Sequence, residues 1–177
     1  MTRLQVMPWL TCSSIGFLRL LIADNPRLRV LEFGAGGSTL WFADRRVEYV
    51  RTIEHSPDWY HDVLQHIGGS NVDLRLLPRP YDTAWQTPGD EPFDLVLVDG
   101  RDRVACAAAA YTALKPGGVL MLDNAERGGY QPIHARLKSW DYVHTEQRNK
   151  HPYYPATRLP WSTDWWIKPQ TDTEVER

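Results

Sequence analysis

Two sets of residues in this chain have the types and spacing to do chemistry. The first is Gly34-Ala35-Gly36-Gly37-Ser38-Thr39, which follows the apolar run Val30-Leu31-Glu32-Phe33, with Glu54 standing 20 residues beyond Gly34. Gly34 and Gly36 allow backbone angles or close approaches that a Cβ obstructs, so a ligand can lie against bare chain. Ser38 reads as a helix N-cap, and the helix it opens offers unpaired N–H groups to a carboxylate or phosphate. Glu54 closes the next apolar run, where a carboxylate can accept both hydroxyls of a ribose. These residues point to a nucleotide-like cofactor at the carboxyl end of a first parallel strand. Thr39 stands where a dinucleotide fingerprint wants its third glycine, which weakens an NAD reading. The second set is Asp99, Asp123 and Asn124, at the ends of the apolar runs Phe93–Val98 and Val119–Leu122. Two carboxylates and an amide are hard oxygen ligands suited to Mg²⁺ or Ca²⁺. A carboxylate there can equally take a proton from a reacting group.

Positioning these residues takes a sheet whose strand ends share one crevice. Apolar runs alternate with helical segments along the whole chain, which argues for a parallel α/β sheet. An amphipathic helix over 13–22 comes first and is ended by Asp24-Asn25-Pro26. Strands are expected at 29–33, 49–54, 73–77, 93–98, 119–122, 142–145 and 164–168. Helices are expected at 38–45, from Pro57 to Ile67, at 104–114 and at 133–137. Pro57 sits where a helix accepts its first proline, and Gly68-Gly69 stops that helix. Asp102 is placed to cap the alanine-rich helix over 104–114. Lys115-Pro116-Gly117-Gly118 reads as the tight turn that ends it. A proline-rich loop spans 78–92, and the long loop before the last strand carries His151, Tyr153 and Tyr154. Long loops in compact domains are often functional, so these three are candidates for substrate recognition. Arg101 either meets an anionic substrate group or is solvated.

A chain of 177 residues suits one domain with a real core. It divides into a helical cap over 1–27, a cofactor-binding core over 28–125, substrate-side elements over 126–169 and a polar tail over 170–177. The net charge of −2 and the lack of any basic run give no electrostatic case for nucleic acid. Cys12 and Cys106 have no metal spacing and are expected as buried fillers. The N-terminus interrupts its apolar residues with Arg3, Gln5, Pro8 and Arg19, which excludes a signal peptide or membrane span there, so a cytoplasmic protein is expected. The 8 tryptophans either pack as core or wall a substrate cleft; core packing is the expectation.

At four places the chain resembles the class I S-adenosylmethionine-dependent methyltransferases. These are Leu31 to Thr39, Thr52-Ile53-Glu54-His55, Phe93 to Gly100, and Leu114 to Asn124, which includes the lysine-proline-glycine-glycine turn. The resemblance implies a Rossmann-like, doubly wound seven-stranded α/β sheet, mostly parallel with an antiparallel last strand. It also implies S-adenosylmethionine as cofactor, held by Glu32, Gly34, Ala35, Gly36, Ser38, Thr39, Glu54, His55 and Asp99. By that comparison Glu32 and the glycine turn face the amino-acid part and Glu54 the ribose. The adenine-contacting acid of many relatives has no clear counterpart here; Tyr81 and Asp82 stand nearby. Within the family, Asp99, Asp123 and Asn124 resemble the divalent-metal site of catechol-type and macrolide-sugar O-methyltransferases. This makes Asp99 and Asp123 catalytic candidates and all three Mg²⁺-ligand candidates. Acids at these strand ends also occur in metal-free methyltransferases, where they orient cofactor or substrate.

The function implied is methyl transfer to a small molecule, as O-methylation of a hydroxylated metabolite or sugar. The chain carries little beyond the catalytic core, so a homodimer is expected. Two alternatives stand beside it: a non-catalytic S-adenosylmethionine-binding subunit or regulator, and a Rossmann NAD-dependent oxidoreductase. Nucleic-acid methylation is disfavoured because Asp99-Gly100-Arg101-Asp102 is unlike the Asn/Asp-Pro-Pro-Tyr motif of the base-modifying members.

Overall fold

The computed structural model describes residues 4–45, 47–83, 85–87, 91–155 and 159–170. Most of the polar tail, from 171 on, thus lies outside the described residues. The element order is α1 (Cys12–Asp24), β1 (Arg29–Phe33), α2 (Gly37–Asp44), β2 (Tyr49–Glu54), α3 (Pro57–Leu64) and β3 (Val72–Leu76). It continues with β4 (Phe93–Val98), α4 (Arg103–Ala113), β5 (Leu114–Asp123), a single 3₁₀ turn leading into α5 (Gln131–Arg136), β6 (Asp141–Gln147) and β7 (Trp161–Ile167).

Apolar runs without alternation belong inside a parallel sheet covered on both faces, and β1 and β4 obey this rule. Val30 is flanked by Val50 of β2 and Leu95 of β4, and all three are fully buried. The seven strands stand in the order β3-β2-β1-β4-β5-β7-β6. β7 runs antiparallel to both its neighbours, and the β1–β2, β2–β3, β1–β4 and β4–β5 pairs are parallel. The order reverses between β1 and β4, which opens a crevice at their carboxyl ends.

Successive side chains of a strand point to opposite faces, so each strand feeds two cores. Val96, Val98, Leu120 and Leu122 pack with Cys106, Ala107 and Ala110 of α4 and with Trp140 and Trp166. Leu95, Leu97 and Met121 pack with Leu18 of α1, Trp41 and Phe42 of α2, and Trp165. The tryptophans are therefore mostly core, as expected, whereas Trp9 is 46% exposed. No helix among the described residues is long and apolar enough to cross a membrane.

Several local expectations need correction. α3 stops at Leu64 rather than Ile67, because the amides of His66 and Ile67 bond back to Val63 and Leu64, three residues earlier, in a tightened last turn. Lys115 to Gly118 is built into β5 as an irregular lead-in: the pairing shifts between Phe93 opposite Leu114 and Leu95 opposite Val119. Gly117 takes φ +76° there, a conformation that favours glycine. Asp102 holds the N-cap position of α4 but caps nothing; its backbone is left-handed and its carboxylate is claimed by Arg79, with Nε 2.8 Å away. Cys12 opens α1 on its outer face and is exposed, whereas Cys106 is buried.

Candidate active site

The crevice is floored by a contact between two backbone turns. Gly34 has φ +102°, and a Cβ there would lie 2.5 Å from the nitrogen and 2.6 Å from the Cα of Gly100. The Gly34 amide donates to the Ile53 carbonyl at 2.8 Å, and the Gly100 amide donates to that of Phe33 at 2.6 Å. Gly34 is thus needed for the close approach of the two backbone turns. Gly36 is the bare position: the nearest atom to a Cβ there is on Trp59, 3.9 Å away.

Ser38 is not the N-cap. α2 begins at Gly37 with Gly36 as the cap residue, and Gly36 has no side chain to offer the first amides. The Thr39 hydroxyl accepts the Gly36 N–H at 2.9 Å. Ser38 and Thr39 instead turn inward and donate to the two oxygens of Glu32; the Thr39 bond is 2.6 Å, and Thr52 adds a third at 2.7 Å. Glu32 is fully buried under the turn, so its carboxyl fixes the loop from below. Burial pushes it up to about 7, against the pull of its three hydroxyl partners.

Glu54 is held from the other side. Its Oε2 accepts the Ala35 amide at 3.1 Å, and its Oε1 accepts the His55 and Ser56 amides at 2.8 and 2.7 Å. These bonds fix the carboxylate at the end of β2, beside the turn, and leave lone-pair capacity on Oε2. Trp59 donates its indole N–H to the Ala35 carbonyl at 2.5 Å, and this walls the same corner. The His55 ring stacks on Tyr81 with centroids 5.8 Å apart. Tyr81 is itself fully buried, donates to the Arg101 carbonyl at 3.0 Å and accepts the Arg101 amide at 2.5 Å. It therefore pins the β3–β4 loop to the β4–α4 loop. Asp82 is half-buried in that same β3–β4 loop.

The acid set at β4 and β5 is organised by a residue that the sequence reading passed over. Arg103, the first residue of α4, is only 8% exposed and lies between the two strand ends. Its Nε donates to the Gly100 carbonyl at 3.0 Å, and one terminal nitrogen donates to the Asp99 carbonyl at 2.6 Å and to Asp99 Oδ1 at 2.9 Å. The other donates to the Asp123 carbonyl and stands 3.9 Å from Asp123 Oδ2. Asp123 Oδ1 is taken as well, by the indole of Trp161 and the hydroxyl of Thr163, both at 2.9 Å. The sequence did hold one signal for Arg103: it stands four residues after Asp99, at the spacing of an acid–base pair on a helix.

Burial raises both acids above the ordinary carboxyl range, and Asp123 is raised further because the Asp99 charge is close. Asp99 keeps 28% of its side-chain surface open, against 4% for Asp123. Asp123 is therefore enclosed, and Asp99 is the member of the pair that faces the crevice. Asn124 takes φ +51° and its carbonyl accepts the Arg127 amide, so it shapes the turn after β5.

The Mg²⁺ set expected from Asp99, Asp123 and Asn124 does not fit this arrangement. A guanidinium already serves both carboxylates, and one oxygen of Asp123 has two other donors. Among the described residues no cluster of three His, Cys, Asp or Glu is placed to hold a metal ion.

Over the crevice, the N-terminal segment meets the β6–β7 loop. Trp9 stacks on Tyr154 with centroids 4.8 Å apart, and the Tyr154 hydroxyl donates to the Met7 carbonyl at 2.5 Å. Burial and the nearby Asp99 charge push the Tyr154 phenol up to about 12. His151 is buried against the rings of Tyr154 and Trp161, its Nδ1 accepting the Tyr153 amide at 3.2 Å, and burial holds its imidazole below the usual value.

No family model matches the chain, and no curated protein matches it in sequence. Solved structures do match in three dimensions. An O-methyltransferase from Bacillus cereus in complex with SAH superposes with a TM-score of 0.70 at 20% identity, over 90% of this chain and 82% of that one. The cofactor-bound protein Rv0187 from MTB gives 0.65 at 25% identity, over 93% and 84%. The N-methyltransferase NodS from Bradyrhizobium japonicum gives 0.62 at 15% identity, over 87% and 93%. The chain has the class I methyltransferase fold. An antiparallel β7 between β5 and β6 separates that fold from a dinucleotide-binding sheet of order 3-2-1-4-5-6. Within the methyltransferase fold, the crevice at β1 and β4 joins the bare Gly36, the uncapped start of α2, the fixed Glu54 carboxylate and the open Asp99.

Proposed function

We propose that this protein is an S-adenosylmethionine-dependent methyltransferase that acts on a hydroxyl of a small molecule, a hydroxylated metabolite or a sugar. The observation that carries the reading is the juxtaposition at the β1–β4 crevice. The uncapped first turn of α2 suits the cofactor carboxylate. The Glu54 carboxylate, fixed by three backbone amides, suits ribose hydroxyls. Asp99 faces the same space and is proposed to accept the proton of the acceptor hydroxyl, with Asp123 holding Arg103 and β5 in place behind it. Methyl transfer is an in-line displacement, so most of the catalysis comes from positioning the two reactants.

A small acceptor is supported by the walls above the crevice. Trp9, Tyr154 and His151 are aromatic, close together and joined across the N-terminal segment and the β6–β7 loop. The net charge of −2 favours no polyanion. A homodimer is the proposed assembly.

The test is a calorimetric titration of S-adenosylhomocysteine into the wild type and into Glu54→Gln. Micromolar binding that weakens by about tenfold or more in the variant is expected, the loss of one charge-assisted hydrogen bond being about 1.5–3 kcal/mol. Absence of binding by the wild type refutes the cofactor assignment.

A further inference from the structure

We propose that Arg103 is the resident cation of this site: its guanidinium sits at both Asp99 and Asp123, where a divalent ion held by these two acids would have to bind, and the acid pair works without metal. The proposal concerns the acid pair itself and uses the methyltransferase reading only for its kinetic readout.

Five oxygens surround the guanidinium. Three are backbone carbonyls, of Asp99, Gly100 and Asp123, and two belong to the carboxylates of Asp99 and Asp123. An arginine has five N–H donors in a fixed planar fork; four of the contacts here are hydrogen bonds, and Asp123 Oδ2, 3.9 Å away, is an ion-pair contact. The carbonyls come from both strand ends, which makes Arg103 a cross-link between β4 and β5 as well as a counter-charge. A buried guanidinium bonded from both strand ends is held in one place by its planar fork. A divalent ion could enter only by displacing it, and would then face a buried like charge.

The same shell explains what removal of Arg103 leaves behind. It consists of oxygens alone, two of them from carboxyl groups, and such donors suit hard cations. Oxygens spaced around a guanidinium are too far apart for the tight octahedron of Mg²⁺, about 2.0–2.1 Å from metal to ligand, whereas Ca²⁺ tolerates irregular shells at about 2.3–2.6 Å. Arg103→Ala therefore converts the site into a cation site with a preference for Ca²⁺. Arg103→Lys, which keeps the charge but not the fork, stays indifferent to metal and loses part of the cross-link. Arg103 is a positioning residue in this account: it acts on the acceptor through Asp99.

The experiment combines thermal melts and calorimetry on the full chain with CaCl₂ and MgCl₂ as probes. Wild type is expected to show no saturable binding stronger than about 10⁻³ M, with no metal-dependent shift in melting temperature. Arg103→Ala is expected to melt lower than wild type and to recover as Ca²⁺ is raised, with a dissociation constant of about 10⁻⁴–10⁻³ M. The recovery should vanish in Arg103→Ala with Asp123→Asn. Turnover by the wild type is expected to resist EDTA. Stoichiometric Mg²⁺ or Ca²⁺ binding by the wild type that is lost in Asp123→Asn overturns the proposal. So does a metal response in Arg103→Ala no greater than that of the wild type. Should Arg103→Ala not fold, the wild-type titration and Arg103→Lys decide alone: a calcium-stabilised Arg103→Lys refutes the role given to the charge. S-adenosylhomocysteine binding by the wild type is scored separately, so failure of the cofactor reading is distinguishable from failure of this one.

Discussion

Replacing Glu32 by glutamine tests whether the floor of the crevice is built on a protonated carboxyl. Glu32 is fully buried and is raised from an ordinary 4.5 to about 7. Between these two values the folded chain keeps a proton that the unfolded chain has released. Stability must therefore fall as the pH rises through that window, and level off above it. The gap is 7 − 4.5, or 2.5 pH units, each equivalent to about 1.4 kcal/mol, so the full loss is about 3 kcal/mol. Glutamine does not titrate, and its amide can still meet hydroxyls of Ser38, Thr39 and Thr52, which rotate to donate or accept. Urea unfolding of wild type and Glu32→Gln at several values from pH 5 to 8 isolates the effect, because every other group titrates alike in both. The difference between the two stabilities should move by about 2–3 kcal/mol in favour of glutamine as the pH rises. Two curves that stay parallel to within about 0.5 kcal/mol, the size of an ordinary neutral substitution, would refute the reasoning.

Two further substitutions separate architecture from binding at the glycine turn. Gly34→Ala places a Cβ against the Gly100 backbone at φ +102° and should destabilise the fold by about 2 kcal/mol or more, read by denaturant melts. Gly36→Ala meets only Trp59 at 3.9 Å and should keep stability to within about 1 kcal/mol while weakening S-adenosylhomocysteine binding in calorimetry. At the far end of α4, the Lys168 ammonium donates to the carbonyls of Tyr111 and Leu114 at 2.9 and 3.1 Å. Lys168→Met should cost about 1–3 kcal/mol in urea unfolding, since it strands carbonyls at the helix end. An unchanged midpoint would show that water replaces the ammonium there.

β1, β2 and β4 have the residue bounds predicted for them, although β1 carries Glu32 and β2 carries Arg51 and Thr52, all buried, within their apolar runs. Glu32 and Glu54 were legible as candidates because Glu32 interrupts an apolar run just before the glycine turn and Glu54 closes the next run, 20 residues beyond Gly34. Their roles were harder to read. Whether a carboxylate faces a ligand or a hydroxyl depends on Thr52, which is remote in sequence, and on the direction in which Ser38 and Thr39 turn. Ser38 has the chemistry of an N-cap, yet its hydroxyl donates to the buried Glu32 beneath it and Gly36 takes the cap position.

Arg103 is the sharpest case of this kind. In the run Asp99-Gly100-Arg101-Asp102-Arg103 the sequence marks Asp99 as a site acid and Asp102 as a helix cap, and only the four-residue step from Asp99 sets the second arginine apart from the first. The distinction comes from the sheet. The helix starting at residue 103 turns one side chain into the gap between β4 and β5, where three carbonyls and two carboxylates already stand. A motif of two acids and an amide at strand ends therefore names a place in the fold without naming its occupant. The occupant is set by the first residue of the following helix, and a cation carried by the chain removes the need for one from solution.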